Sequence, residues 1–410
     1  MNRSVPSLRG GHGRFTFILS LAALVLIYAV VGYQGIQLTY LDGRIAAVWL
    51  PNAILLALML RVSQAQAAFY LLAGFLTNIA INLAVGDLPI TALALALGNV
   101  AEVIVAGALM QRLCGSRPDI GVARNLNTML LVAAAVPALS CVLPGVAMAG
   151  ASAEFSVSSA FKWYSAHALA MATLAPTVMI FIDSWRARRR PLPGEVRKWI
   201  WLVLGTLLST AAIFGQSRYP FLFLAAPIVL VAAFRTGMLG TAVSILIVSI
   251  VATAATLLGS GPVTLVKDDL AYEFATLQLF LATCFVIGLP VASVLRGRAA
   301  IAQQLTESRD LLDQVLENVG EVVFKTDAQG RWVFLNSAWE EMTGYSVEES
   351  LGWKTSALLV EEDKEAAKPI YTKIYTGEIE HITLPQRFCD RRGEMHHIEL
   401  VVRRQVDGHG

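Results

Sequence analysis

Charge is scarce in this chain. Asp, Glu, Lys and Arg make up 15% of 410 residues, while 56% are hydrophobic, and the mean hydropathy is +0.60. That composition excludes a soluble globular protein of this length and leaves lipid as the main solvent. Cysteine is equally sparse. Cys114, Cys141, Cys284 and Cys389 stand far apart without paired spacing, which argues against a disulfide framework or a cysteine metal site. The apolar run at 15–31 follows arginines but no small-residue cleavage site, so it reads as a retained first transmembrane helix, not a signal peptide.

The charges present are unevenly placed. Residues 1–300 carry 20 Lys/Arg and 10 Asp/Glu, whereas residues 301–410 carry 12 and 20. The first part reads as membrane and the second as one small acidic domain. Apolar segments at 15–31, 45–60, 67–83, 90–111, 127–149, 158–182, 199–214, 220–234, 238–258 and 275–295 predict a polytopic α-helical protein with about ten spans. With both termini cytoplasmic, Arg3, Arg9, Arg14, Arg61, Arg112, Arg117, Arg124, Arg186, Arg188, Arg189, Arg190, Arg197, Lys198, Arg235, Arg296 and Arg298 fall inside. Only Arg44, Lys162, Arg218 and Lys267 fall outside. The run "RARRR" is read as a topology anchor ahead of a nucleic-acid or regulatory patch.

Polar residues inside the apolar segments are the functional candidates, because a carboxylate at mid-membrane costs about 2.5–3.5 kcal/mol on insertion scales. Glu102 sits mid-span with Asn99 one turn before it. Asn78 and Asn82 share a face of the preceding span, Trp49 and Asn52 open the second, and His167 follows Trp163 and Tyr164. The orientation puts these toward the outer side. They predict a ligand-binding cavity open to the periplasm with Glu102 at its floor, reading a cation, an amine or pH, although asparagines also serve as interhelical glue.

The stretches "VWLPNAILLALMLR" and "GNVAEVIVAGALMQRL" resemble the membrane-associated sensor domain of the MASE type, first class, through Trp49, Pro51, Asn99 and Glu102. The resemblance covers about 15–295 and implies sensing without naming the signal. Beyond it, Ile301, Leu305, Ser308, Leu312, Val315 and Val319 make a heptad-spaced seam over 296–319. That seam suits a parallel homodimer stalk or a plain amphipathic connector.

In "EVVFKTDAQGRWVFLNSAWEEMTGYSVEESLGW" a strand, a turn at Gly330 and a second strand precede two helix starts, Ser337 with Glu340 and Ser346 with Glu349. A helix over 361–375 and strands at 382–390 and 394–404 follow. This order resembles a PAS domain, on Thr326, Asp327, Gly330, Asn336, Gly344, Tyr345, Glu349 and Gly352. The resemblance implies an α+β fold in which Asp327 and Asn336 fix the turn and strand end. Phe324, Trp332, Phe334 and Trp339 are candidates to line its cavity. Haem and flavin signatures are absent: Thr355 stands where light sensors carry a cysteine, and 361–375 has no histidine. His381, His396 and His397 fall in strands, where adjacent histidines point to opposite faces and chelate poorly. A PAS domain ends with another core strand, so the chain, stopping at "RRQVDGHG", reads as the front of a longer protein with an incomplete PAS unit.

The expected organisation is thus a cytoplasmic 1–14, a membrane sensor at 15–295, a helical linker at 296–319 and a truncated PAS domain at 320–410. The expected function is an inner-membrane receptor that passes a small-molecule signal to an output domain. The resemblance implies cyclic-di-GMP synthesis or hydrolysis as that output, with a histidine kinase next. No catalytic motif, cofactor, metal or nucleic-acid partner is expected in these residues. A transporter and a pure membrane anchor are the competing readings.

Overall fold

The computed structural model describes residues 11–38, 49–142, 157–187, 193–266 and 270–405. Arg3, Arg9, Arg44, Arg188, Arg189, Arg190, Lys267 and the final five residues lie outside that set. The chain divides into two compact units, Met1–Ala300 and Ile301–Gly410.

The first unit is helical: α1 (Gly11–Leu38), α2 (Leu50–Met59), α3 (Gln64–Ala84), α4 (Pro89–Cys114), α5 (Ala123–Ser140), α6 (Val157–Ala187), α7 (Pro193–Phe214), α8 (Ala225–Leu257) and α9 (Leu270–Asn318). Among the described residues, seven helical segments are long and apolar enough to cross a membrane. The expected count of about ten differs for three reasons. α2 has 10 residues, about 15 Å of helix, half a bilayer core. The segments at 220–234 and 238–258 fall within one stretch of helix that breaks at Gly237, whose φ of 65° and ψ of −158° only glycine adopts without strain. α5 spans 18 residues and is not among the seven.

Local chemistry sets several boundaries. Ser63 caps α3 by a reciprocal box with Gln66, and Pro89 opens α4, where a missing N–H is harmless. The ends of α3 and α8 close alike. Val85, Gly86 and Asp87 donate backbone N–H to the carbonyls of Ile81, Leu83 and Asn82; Leu258, Gly259 and Ser260 donate to those of Ala254, Thr256 and Ala255. In both places a short helix carrying Pro51 or Pro227 precedes the long one, and each pair is followed by a proline, Pro89 or Pro262. The two regions share this local pattern of prolines and cap. Small residues let the helices of the membrane unit approach: a Cβ on Gly107 would strike Met59, and one on Gly288 would strike Val229.

The second unit holds two antiparallel pairs. β1 (Phe324–Thr326) pairs with β2 (Trp332–Leu335), shifting register between Lys325 and Thr326. β3 (His381–Cys389) pairs with β4 (Met395–Arg403) over nine residues. Between them come α10 (Ala338–Thr343), α11 (Val347–Ser350) and α12 (Glu361–Thr376). The Gly352–Thr355 segment bonds to the Gly330–Trp332 edge, and the 358–360 segment bonds to β3. Among the described residues the remaining edges, of β1 and of β4, are unpaired. Ser346 accepts from the Glu349 N–H as expected. Ser337 does not cap α10; its hydroxyl turns back to the Glu317 carbonyl oxygen, and the Glu340 carboxylate accepts the Val347 N–H instead.

Candidate functional site

α4 rises about 1.5 Å per residue, which leaves Glu102 roughly equidistant from its two ends, at the depth where water is absent. Its side chain is 1% exposed, so each carboxylate oxygen needs partners from the protein. Three helices supply them. Oε1 accepts from Asn52 Nδ2 of α2 at 3.0 Å, and Oε2 accepts from the Ser140 hydroxyl of α5. His167 of α6 places Nδ1 3.1 and 3.0 Å from the two oxygens. A carboxylate only accepts, so that nitrogen carries the proton.

The rest of the cluster orients these donors. Asn52 also donates to Asn99 Oδ1 at 3.0 Å and accepts from Trp49 Nε1 at 3.0 Å. The indoles of Trp49 and Trp163 lie nearly parallel to the His167 ring, at 6.1 and 4.2 Å between centroids. Asn52 is the third residue of α2. Glu102 thus faces the first turn of a short helix, where unpaired N–H groups and the helix dipole favour negative charge.

Trp49, Asn52, Asn99, Glu102 and His167 thus form a buried, mutually bonded cluster. Asn78 and Asn82 stand apart from it. Asn82 Nδ2 donates to the backbone and side-chain oxygens of Asn78, and Asn78 Nδ2 donates to Tyr28 of α1. Ser140 was missed because nothing marks it in sequence, lying one turn after a helix-internal Pro137.

A second network, at the far end of α2, was also missed. Arg61, 3% exposed, makes a bidentate pair with Asp183 of α6, both contacts 2.7 Å, and donates to the Pro118 carbonyl oxygen at 3.0 Å. Pro118 lies in the loop between α4 and α5. One residue on, Asp119 takes a bidentate pair from Arg296 of α9 at 3.0 Å, and the Gly121 carbonyl oxygen accepts from Ser293. α2 is thereby a strut with the Glu102 cluster at one end. At the other end a clamp reaches α9 through a single loop. Sequence reading had used Arg61 and Arg296 only as topology charges.

In the second unit Asn336 accepts from the Val323 N–H and donates to the carbonyl oxygens of Leu316 and Glu321. It ties β2 to the last turn of α9. Asp327 accepts from the N–H groups of Gln329 and Arg331, and Gly330 turns at φ 72°. A cavity of about 480 Å³ lies between the free edges of β1 and β4, lined in part by Phe324, Trp332, Trp339, Phe388 and Leu400. Phe334 does not line it: it is 38% exposed, because β2 does not alternate strictly and buries only its two ends. Gly344 ends α10 in the left-handed region, while Tyr345 packs on Trp353 and under Arg391, away from the cavity. Hydrogen bonds from Arg387 hold the Asp363 carboxyl below the usual range. Asp390 is also lowered: burial opposes this, but the N–H groups of Glu394 and Arg392 and the His396 ring outweigh it.

Comparison with known proteins agrees with these two parts. A family model described as MASE1 matches residues 20–299, and one described as PAS fold matches 310–410. Sporulation kinase C of Bacillus subtilis (strain 168) is 35% identical over 72 residues, which is 18% of this chain and 16% of that protein. No solved structure matches.

Proposed function

The chain belongs to the MASE1 family and, with a PAS fold joined to it, is a membrane sensory input region; we propose that the Glu102 cluster receives the signal and that α2 and α9 carry it onward. The supporting observation is the strut. Asn52 stands in the first turn of a helix of 10 residues, too short to bend, and Arg61 in the turn that follows its last residue, Met59. A displacement at the carboxylate therefore reaches the loop that grips Arg296. The two-sided bonding of that loop makes it the element both ends bias.

The MASE1 domain sits in a bacterial inner membrane with the PAS domain in the cytoplasm, on the positive-inside distribution of arginines. The signal is a small molecule or ion from the outer side. The PAS unit relays it without haem or flavin. Two copies pair through 296–319, where Ile301, Leu305, Leu312 and Val315 are exposed on the single chain. The output is cyclic-di-GMP synthesis or hydrolysis. A kinase output is the second reading, favoured by the likeness to a protein named a sporulation kinase.

The test is the output of the gene product in cells carrying Glu102→Gln, alongside its abundance in the membrane. Altered signalling at unchanged abundance is expected. Unchanged signalling, with an unrelated anchor substituting for the whole membrane unit, would leave only a tethering role.

A further inference from the structure

Three guanidinium groups gather near one carboxylate at the Arg61 end of the bundle. Arg61 takes both oxygens of Asp183. Arg186 donates Nη1 to the Arg61 carbonyl oxygen at 2.8 Å, and its charge feels Arg117, Asp183 and Arg61. Arg117 is exposed and makes no hydrogen bond or ion pair among the described residues. Asp119, the only acid in its loop, is occupied by Arg296. Among the described residues, Asp183 is thus shared by Arg61, which holds both its oxygens, and Arg186, and Arg117 has no acid of its own, so the cluster carries more positive than negative charge.

We propose that Arg117 and Arg186, with Arg61 behind them, bind the phosphate group of an anionic phospholipid. An oxyanion between two guanidinium groups replaces their repulsion with charge-assisted hydrogen bonds. A second observation identifies the source. Trp185, the residue before Arg186, is 81% exposed and Trp201 on α7 is 71% exposed. Exposed indoles at helix ends mark the headgroup level of a bilayer, which puts Arg186 where lipid phosphates are. The bound headgroup bridges α6 to the α4–α5 loop and so pins the loop that also holds Arg296. Which leaflet supplies the lipid rests on the orientation proposed above; the site itself does not.

The full chain is placed in nanodiscs of phosphatidylcholine alone or mixed with phosphatidylglycerol. Retained lipid is read by native mass spectrometry and stability by the unfolding midpoint. Phosphatidylglycerol is expected to be retained and to raise the midpoint. Arg117→Gln, a side chain with no structural bond to lose, and Arg186→Gln are each expected to weaken retention about fivefold. Together they are expected to weaken it about thirtyfold, at about 1 kcal/mol per arginine. Arg124→Gln, an exposed charge outside the cluster, is expected to leave retention unchanged. Equal retention by Arg117→Gln and wild type, or no preference for phosphatidylglycerol, overturns the proposal. If inorganic phosphate added to phosphatidylcholine discs gives the same shift, and Arg117→Gln abolishes it, the ligand is a soluble phosphate and the lipid assignment falls. None of these readouts depends on Glu102, so failure here leaves the sensory reading standing.

Discussion

Asn52 and Glu102, 50 residues apart in the chain, meet at 3.0 Å, with the amide on the first turn of α2 and the carboxylate in the middle of α4. Neither is stable there alone. Glu102 without donors would be an unsolvated charge, and Asn52 without acceptors would leave a buried amide unpaired. Their meeting fixes where α2 begins relative to α4, and the remaining partners follow from it.

Removing His167 leaves the buried Glu102 carboxylate short of a hydrogen-bond donor. His167→Ala is expected to destabilise the chain by about 3–5 kcal/mol, and Glu102→Gln by less, because a neutral amide can accept from Asn52 through its oxygen and donate to the Ser140 hydroxyl through its nitrogen. The pair Glu102→Gln with His167→Gln is expected to cost less than the sum of the single changes. Denaturant unfolding in micelles measures all of these, and additive effects would mean that the two side chains do not interact.

Arg296 and Asp119 are each about half exposed, so their pair contributes about 0–1 kcal/mol to stability. Asp119→Asn is accordingly expected to fold as well as wild type yet to weaken the link to α9, leaving the Ser293 bond to the Gly121 carbonyl oxygen. Hydrogen exchange around Arg296 is expected to respond to Glu102→Gln more strongly in the wild-type background than in Asp119→Asn.

The exposed seam on α9 predicts proximity between copies. In a chain freed of its four native cysteines, Ser308→Cys is expected to give a crosslinked dimer with a short bismaleimide. Asp310→Cys, two residues along and off the seam, is expected to give far less. Equal yields from both positions would remove the dimer stalk.

Acid titration follows from Asp363. Its folded pKa lies below the unfolded value of about 3.9, since Arg387 bonds the charged form. The resulting stabilisation is complete above the unfolded value and disappears as pH falls through the folded one. Wild type is therefore expected to lose more stability than Arg387→Gln when taken from neutral pH to about pH 3. Unfolding midpoints of both proteins across that range check it.

Composition and polar interruptions made the membrane part and its central residues legible. Glu102, Asn99, Asn52, His167 and Trp49 stand out because each is costly in lipid. Sequence could not separate them from Asn78 and Asn82, because which asparagines meet depends on helix rotation, not on residue type. It placed a boundary between 234 and 238, where the helix breaks at Gly237, but counted the two sides as separate spans, since a glycine amid apolar residues looks the same whether it kinks a helix or ends one. The PAS turn at Asp327 and Gly330 was legible from local chemistry, whereas Phe334 was misplaced because a register shift in β1 disturbs the alternation. Arg61 was read only for its sign, and its burial against Asp183 is a tertiary fact.

The helices α3 and α8 end in the same cap but differ in the residues before it. Counting back from the caps, the positions of Asn78 and Asn82 on α3 correspond to Val251 and Ala255 on α8. Sliding apolar helices in a bilayer exchanges one methyl contact for another, which lipid readily supplies. Sliding α2 or α3 must break hydrogen bonds that lipid cannot replace. The Asn78–Tyr28 bond therefore ties α3 to α1 at a depth where Val251 and Ala255 give α8 no such tie, and α8 is held to α7 elsewhere, through the hydroxyls of Ser244 and Thr206.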